Sequence, residues 1–182
     1  MQKRCWLFVQ DNFRSRCGCF FKLQSAFTDG VGECWRCGGS HKISPLCCCV
    51  DLLFDSGPCQ PFSVFRNRRG HTDRTGSVAN HPDLETTVFE WLAVVEKLKP
   101  KGGIKENVPA IASPCADCPD ECESWSAYII KKLNSWGYAV WVVRLDNAWF
   151  IDSPRKRWFL VYLSDALGGR HAIMWMRTRL QD

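Results

Sequence analysis

From Val50 onward the apolar residues of this chain switch repeatedly between two periods, and that alternation leaves few folds open. Val50-Asp51-Leu52-Leu53-Phe54 is a short apolar run ending at Asp55-Ser56-Gly57-Pro58, the pattern of a buried strand entering a loop. Leu84, Val88, Trp91, Leu92, Val95 and Leu98 then recur at helical spacing. Pro82 and Asp83 suit the first turn, Lys97 and Lys99 complement the negative C-terminal end, and residues 100–103 stop the helix. A short strand is predicted over 104–108, and a second helix over 121–136, where Trp125, Ile129, Leu133 and Trp136 share a face and Gly137 closes it. Two β-rich strands follow over 138–143 and 157–163. Strand, helix, strand, helix, strand, strand predicts an open α/β sheet. Such sheets bind ligands at the loops after the strand C-termini, where Cys59 and a basic loop fall.

The first 49 residues do not share this grammar. Phe20-Phe21, Cys47-Cys48-Cys49 and scattered arginines show neither period, and eight of the twelve cysteines (Cys5, Cys17, Cys19, Cys34, Cys37, Cys47, Cys48, Cys49) lie there. With 182 residues, 46% hydrophobic and 24% charged, the chain suits one globular domain with a real core. Its net charge of +5 suits a polyanionic partner without identifying one. No apolar stretch approaches the ~20 residues that cross a bilayer, and the apolar run after Arg4 is cut short at Gln10. We therefore expect an intracellular, monomeric protein without membrane contact, its cysteines free, metal-bound or catalytic rather than paired.

Three separated elements carry chemistry. In Gly57-Pro58-Cys59-Gln60-Pro61-Phe62-Ser63 a cysteine flanked by prolines sits at a strand-to-loop junction. Its thiolate would be favoured by the nearby Arg66, Arg68, Arg69 and Arg74. Taken alone, such a cysteine is usually a small buried hydrophobe. The second element is Glu106-Asn107-Val108, a carboxyl at a strand end able to donate a proton or hydrogen bond; an isolated triplet reads equally as a solvated glutamate. The third is Ser153-Pro154-Arg155-Lys156-Arg157 before an apolar strand. Its alternating guanidiniums lie on one side and can reach a phosphate or carbonyl oxygen.

In this order and spacing the three elements resemble the DNA (cytosine-5) methyltransferase family, whose motifs read PPCQ-(P/G)-(F/W)-S, ENV and QxRxR. The resemblance covers roughly residues 50 to 163, with matching context at Leu98-Lys99-Pro100-Lys101-Gly102, Gly137-Tyr138 and Asn147-Ala148. It implies a Rossmann-like, S-adenosylmethionine-dependent methyltransferase fold acting on DNA. By that resemblance, a cytosine flipped out of the duplex is attacked at carbon 6 by Cys59. Glu106 contacts ring nitrogen 3 and the exocyclic amine, and Arg155 and Arg157 hold the base carbonyl and adjacent phosphate. Gln60, Ser63, Asn107, Arg66 and Arg68 then form the surrounding substrate contacts, and the basic loop closes over the DNA backbone.

The departures limit what is expected. No strand with a glycine loop and acidic partner precedes Val50; Gly30-Val31-Gly32 and Gly38-Gly39 lack both, so no cofactor-binding residues are assigned. The chain stops at Asp182, where the family continues into a recognition domain and a final helix, so an incomplete fold is expected. Gly57 replaces the first motif proline, Ser153 the glutamine, and Lys105 a usually apolar residue. We divide the chain into an atypical segment (1–49), a catalytic core (50–165) and a tail (166–182). Residues 1–49 read as a zinc module (Cys34, Cys37, His41, Cys47), an unrelated extension, or an out-of-frame translation, and the abrupt change of grammar favours the last. Cys115, Cys118 and Cys122 have ligand-like spacing but no clear fourth ligand, so no metal is expected there. Two rival functions are an inactive remnant that binds nucleic acid and an RNA cytosine methyltransferase, which would use the same thiol and carboxylate.

Overall fold

The computed structural model describes residues 31–33, 38–42, 50–63, 78–146, 148 and 154–179. The chain divides into two units, Met1–Cys48 and Cys49–Asp182. In the first, Val31–Glu33 (β1) and Ser40–Lys42 (β2) pair antiparallel, with Gly32 opposite His41. Cys34, Cys37 and Cys47 of the zinc reading lie outside the described residues.

The second unit is built on a four-stranded sheet. Its strands are Leu52–Asp55 (β3), Gly102–Asn107 (β4), Tyr138–Asp146 (β5) and Lys156–Ser164 (β6), in the order β3-β4-β6-β5. β3 and β4 run parallel, which requires the long crossover that the first predicted helix supplies. β6 returns antiparallel to both β4 and β5.

The crossover helix (α1, residues 82–98) is α-helical at Pro82–Leu84, π-helical through Glu85–Glu90 and α-helical again over Trp91–Leu98. Its start follows the sequence signals: Pro82 opens the first turn, and the His81 side chain accepts from the Asp83 N–H at 3.2 Å. It ends where Lys99 turns left-handed at φ 45°. The π-helical stretch has no signature in the apolar spacing; within it Thr87 and Val88 are buried.

The next helix begins later than predicted. Asp120 and Glu121 hold left-handed φ of 57° and 55°, so the helix cannot run through them. It starts only after Ser124, whose hydroxyl caps Ala127 N–H at 3.2 Å, giving Trp125–Ser135 (α2). Gly137, at φ 81°, closes it as predicted. Within the segment assigned as a tail, Gly169–Arg179 forms a third helix (α3) that packs across β5 and β6.

Strand alternation divides the sheet into two faces. Leu53 and Asp55, Gly103, Lys105 and Asn107, and Trp158, Leu160 and Tyr162 share the face covered by α1 and α2. There Trp91 meets Tyr162 edge-on at 5.8 Å, and Phe89 meets Trp125 at 5.8 Å. Leu52 and Phe54 point the other way and are 56% and 67% exposed. Gly103 has no alternative: a Cβ there would lie 2.1 Å from Leu53 O and 2.5 Å from Tyr162 Oη. Among the described residues, no helix is long and apolar enough to cross a membrane.

Candidate active site

The C-terminal ends of β3 and β4 lie side by side, so the residues after each strand converge. Beyond β3 the chain turns at once: Asp55 accepts the Gly57 N–H at 3.3 Å, and Cys59 O and Gln60 O accept the N–H groups of Phe62 and Ser63 at 3.1 and 3.3 Å. Phe62 is buried in the core and pins the far end of the turn. Cys59 carries a free, half-buried thiol, Ser63 is half-buried, and Gln60 is exposed.

Two buried side chains grip the turn from below at one atom, Pro58 O. Thr87 Oγ1, in the π-helical stretch, lies 2.9 Å from it and 2.7 Å from Asp83 O. Asn107 Nδ2 donates to the same carbonyl at 3.5 Å, and Asn107 Oδ1 accepts Val108 N–H at 2.9 Å. Asn107, expected as a substrate contact, is fully buried and bonded to the Cys59 turn.

Glu106 sits on the opposite face of β4, beside its end. Arg157 Nε lies 2.6 Å from Glu106 Oε1, and Ser56 Oγ donates to Oε2 at 2.8 Å. Both oxygens are thus oriented, and the two charged side chains are only 24% and 18% exposed. Antiparallel pairing produces this contact, because the start of β6 lies against the end of β4, with Glu106 opposite Phe159. Arg157 also donates from Nη1 to Lys156 O at 2.9 Å. Arg155 is exposed ahead of the strand, its backbone N–H bonded to Asp146 Oδ1 at 3.1 Å. The structure thus brings Arg157, and not Arg155, to Glu106. Arg66, Arg68 and Ser153 lie outside the described residues.

Four residues of this arrangement were not singled out as site residues by the sequence: Asp55, Ser56, Thr87 and Lys105. Lys105 Nζ bonds Asp55 Oδ2 and stands 4.6 Å over the Trp91 ring. Burial pushes the Lys105 ammonium below its ordinary value, and the Asp55 carboxylate opposes that shift. The available signal was a lysine on the strand face that otherwise faces the core.

Away from this site, Cys115 Sγ bonds Asp117, and Cys122 Sγ lies 3.6 Å from Asp120 O. Burial, then the neighbouring Cys122 and Cys115, pushes the Cys118 thiol up to about 12. Among the described residues no group of three His, Cys, Asp or Glu side chains is arranged to hold a metal.

Residues 42–170 match the family described as C-5 cytosine-specific DNA methylase. Type II methyltransferase M.PspPI of Psychrobacter sp. (strain TA137) is 32% identical over 114 residues, which cover 63% of this chain and 24% of that protein. M.NgoBV of Neisseria gonorrhoeae, also a type II methyltransferase, is 30% identical over 119 residues, covering 64% and 25%. The chain thus spans about a quarter of the length of these relatives. Among solved structures, the Entamoeba histolytica methyltransferase EhMeth superposes with a TM-score of 0.57 over 89% of this chain and 42% of that one, at 18% identity. That likeness is one of fold, and with the mixed sheet and its helices it makes this a Rossmann-like methyltransferase fold. A match that spans residues 42–170, most of the chain, makes this chain a member of the C-5 cytosine-specific DNA methylase family.

Proposed function

We propose that this domain carries the base-capturing half of a DNA cytosine-5 methyltransferase site. The observation that carries the reading is the doubly held Glu106 beside the turn of Cys59. In this reading a cytosine leaves the duplex and enters over the ends of β3 and β4. Cys59 Sγ, as thiolate, adds to ring carbon 6; the carbon 5–carbon 6 π pair shifts to carbon 4–carbon 5, and the nitrogen 3–carbon 4 π pair moves onto nitrogen 3. Glu106, carrying a proton taken from solvent as the base enters, donates it to nitrogen 3 and accepts from the exocyclic amine, and so neutralises the charge that the addition creates. Arg157 fixes the Glu106 carboxyl group and faces the base carbonyl. Gln60 and Ser63, at the turn, contact the flipped nucleotide, and Arg66, Arg68 and Arg155 contact the DNA backbone, where each phosphate contact adds salt-sensitive affinity. The family match to DNA methylases supports DNA over RNA as substrate.

S-adenosylmethionine would supply the methyl group for carbon 5. At these strand ends Asp55 is bonded to Lys105, Ser56 to Glu106 and Asn107 to Pro58 O, so these side chains are engaged with one another rather than arranged around a ribose. The reading therefore stops at covalent capture.

Capture can be tested without a methyl donor, because addition at carbon 6 labilises the carbon 5 hydrogen. Duplex DNA of mixed sequence bearing tritium at cytosine carbon 5 should lose label to water with the wild-type chain. Cys59→Ser should abolish the release and Glu106→Gln should cut it at least tenfold. Release that persists in Cys59→Ser, or that is absent from the wild-type chain, would sink the reading. Structured RNA labelled in the same way should remain inert; release from RNA alone would transfer the chemistry to the other nucleic acid.

A further inference from the structure

We propose that Asp55 and Lys105 are a positioning pair that sets the Cys59 turn against Glu106. The inference rests on the reading of Cys59 and Glu106 given above, and it concerns how this chain holds them.

Asp55 and Lys105 are direct partners in the parallel register of β3 and β4. Lys105 has no exposed side-chain surface, and Asp55 is 22% exposed. Their bond is the first of three side-chain rungs between the two strand ends. The second joins Ser56 to Glu106 at 2.8 Å, and the third joins Asn107 to Pro58 O at 3.5 Å. Each rung links a residue leading into the cysteine turn with a residue around the glutamate. The chain between Asp55 and Cys59 is only a few residues long, so a shift of the first rung is passed to the thiol.

The energetics argue that the pair is kept for geometry. Removing two charges from water costs about as much as their attraction returns, and a well-packed apolar pair in the same place is often as stable or more so. An apolar residue at 55 cannot, however, accept a backbone hydrogen bond. Asp55 Oδ2 takes both the Lys105 ammonium and the Gly57 N–H, the latter at 3.3 Å. Lys105 holds the carboxylate in place, the carboxylate holds Gly57, and Gly57 leads directly into Pro58 and Cys59. Trp91, 4.6 Å below the ammonium, closes the site from the helix side. A lysine replaces the usually apolar residue before the glutamate, and Gly57 replaces the usual proline with a residue that has an N–H to donate. The two departures meet at one oxygen.

The test uses the full chain and reads the turn itself, without methyl transfer. Three replacements are compared with wild type: Asp55→Ala/Lys105→Met, Asp55→Val/Lys105→Met and Asp55→Asn/Lys105→Met. The last removes both charges and keeps an acceptor for Gly57. Urea midpoints report stability, iodoacetamide labelling read by peptide mass spectrometry reports Cys59, and hydrogen exchange reports residues 56–63. The apolar pairs should keep the wild-type urea midpoint, yet change the Cys59 labelling rate at least threefold and speed exchange of the turn about tenfold. Asp55→Asn/Lys105→Met should return both to wild type. Apolar pairs with wild-type labelling and exchange would overturn the proposal. So would failure of both apolar pairs to fold while the Asn variant folds, since the pair would then be a stability element. Loss of tritium release from DNA with an intact Asp55 effect on Cys59 would instead remove the functional reading alone.

Discussion

Replacing Arg157 by Met should destabilise this unit by about 2 kcal/mol, nearly all of it through Glu106. At an effective dielectric of about 20, two unit charges about 4 Å apart attract by about 4 kcal/mol. The Arg157–Glu106 bond is 2.6 Å long and both side chains are more than three-quarters buried, so little of that attraction is screened. Desolvation of the two ions offsets roughly half, which leaves the range of about 1.5–3 kcal/mol typical of hydrogen bonds to charged groups. An exposed ion pair would contribute under about 1 kcal/mol. Urea unfolding of wild type, Arg157→Met, Glu106→Gln and the double variant gives the coupling directly. We expect about 1.5–2 kcal/mol. A coupling below about 0.5 kcal/mol, with both single variants folded, would refute the claim that the two strand ends orient each other through this pair.

Gly103→Ala should cost about 3 kcal/mol, because its Cβ would press on Leu53 O at 2.1 Å and part β3 from β4. In a thermal melt that is a fall of roughly 6–12 °C for a chain of this size. Thr87→Val keeps the shape of the helix and removes its hydrogen bond to Pro58 O; we expect a loss of about 1 kcal/mol and faster hydrogen exchange over residues 58–63. Unchanged exchange there would show that Thr87 does not hold the Cys59 turn. The Cys118 thiol, raised to about 12 from an ordinary 9.0, should have about five-hundredfold less thiolate at pH 9 in the folded chain than in urea, and so label far more slowly with iodoacetamide. The sign follows from linkage: the fold favours the neutral thiol, so Cys118 contributes stability that is fully present below pH 9 and lost as pH rises toward 12. Cys118→Ala should flatten that part of the stability curve.

Much of the architecture can be read from local patterns. Both main helices, all four strands of the larger sheet and the turn at Cys59 follow from apolar spacing, Pro82, Gly137 and the Gly57-Pro58 junction, since these signals act over a few residues. Errors of extent have local causes that spacing does not reveal. Left-handed Asp120 and Glu121 delay α2, and the β5–β6 pair lengthens to Asp146 and Ser164 because antiparallel pairing continues beyond the apolar run.

What only tertiary structure decided is which side chains meet. The sequence by itself contained the cysteine, the glutamate and the two arginines, and their order pointed to one family. Local patterns cannot tell that β6 runs antiparallel to β4, and it is this direction that gives Glu106 to Arg157 and leaves Arg155 exposed. Nor can they tell that Asn107 faces inward to Pro58 O, or that a lysine and an aspartate fifty residues apart share a buried bond. Periodicity records which face a residue occupies within its own strand. Partners across strands depend on register and direction, which are set when separate parts of the chain pack on one core.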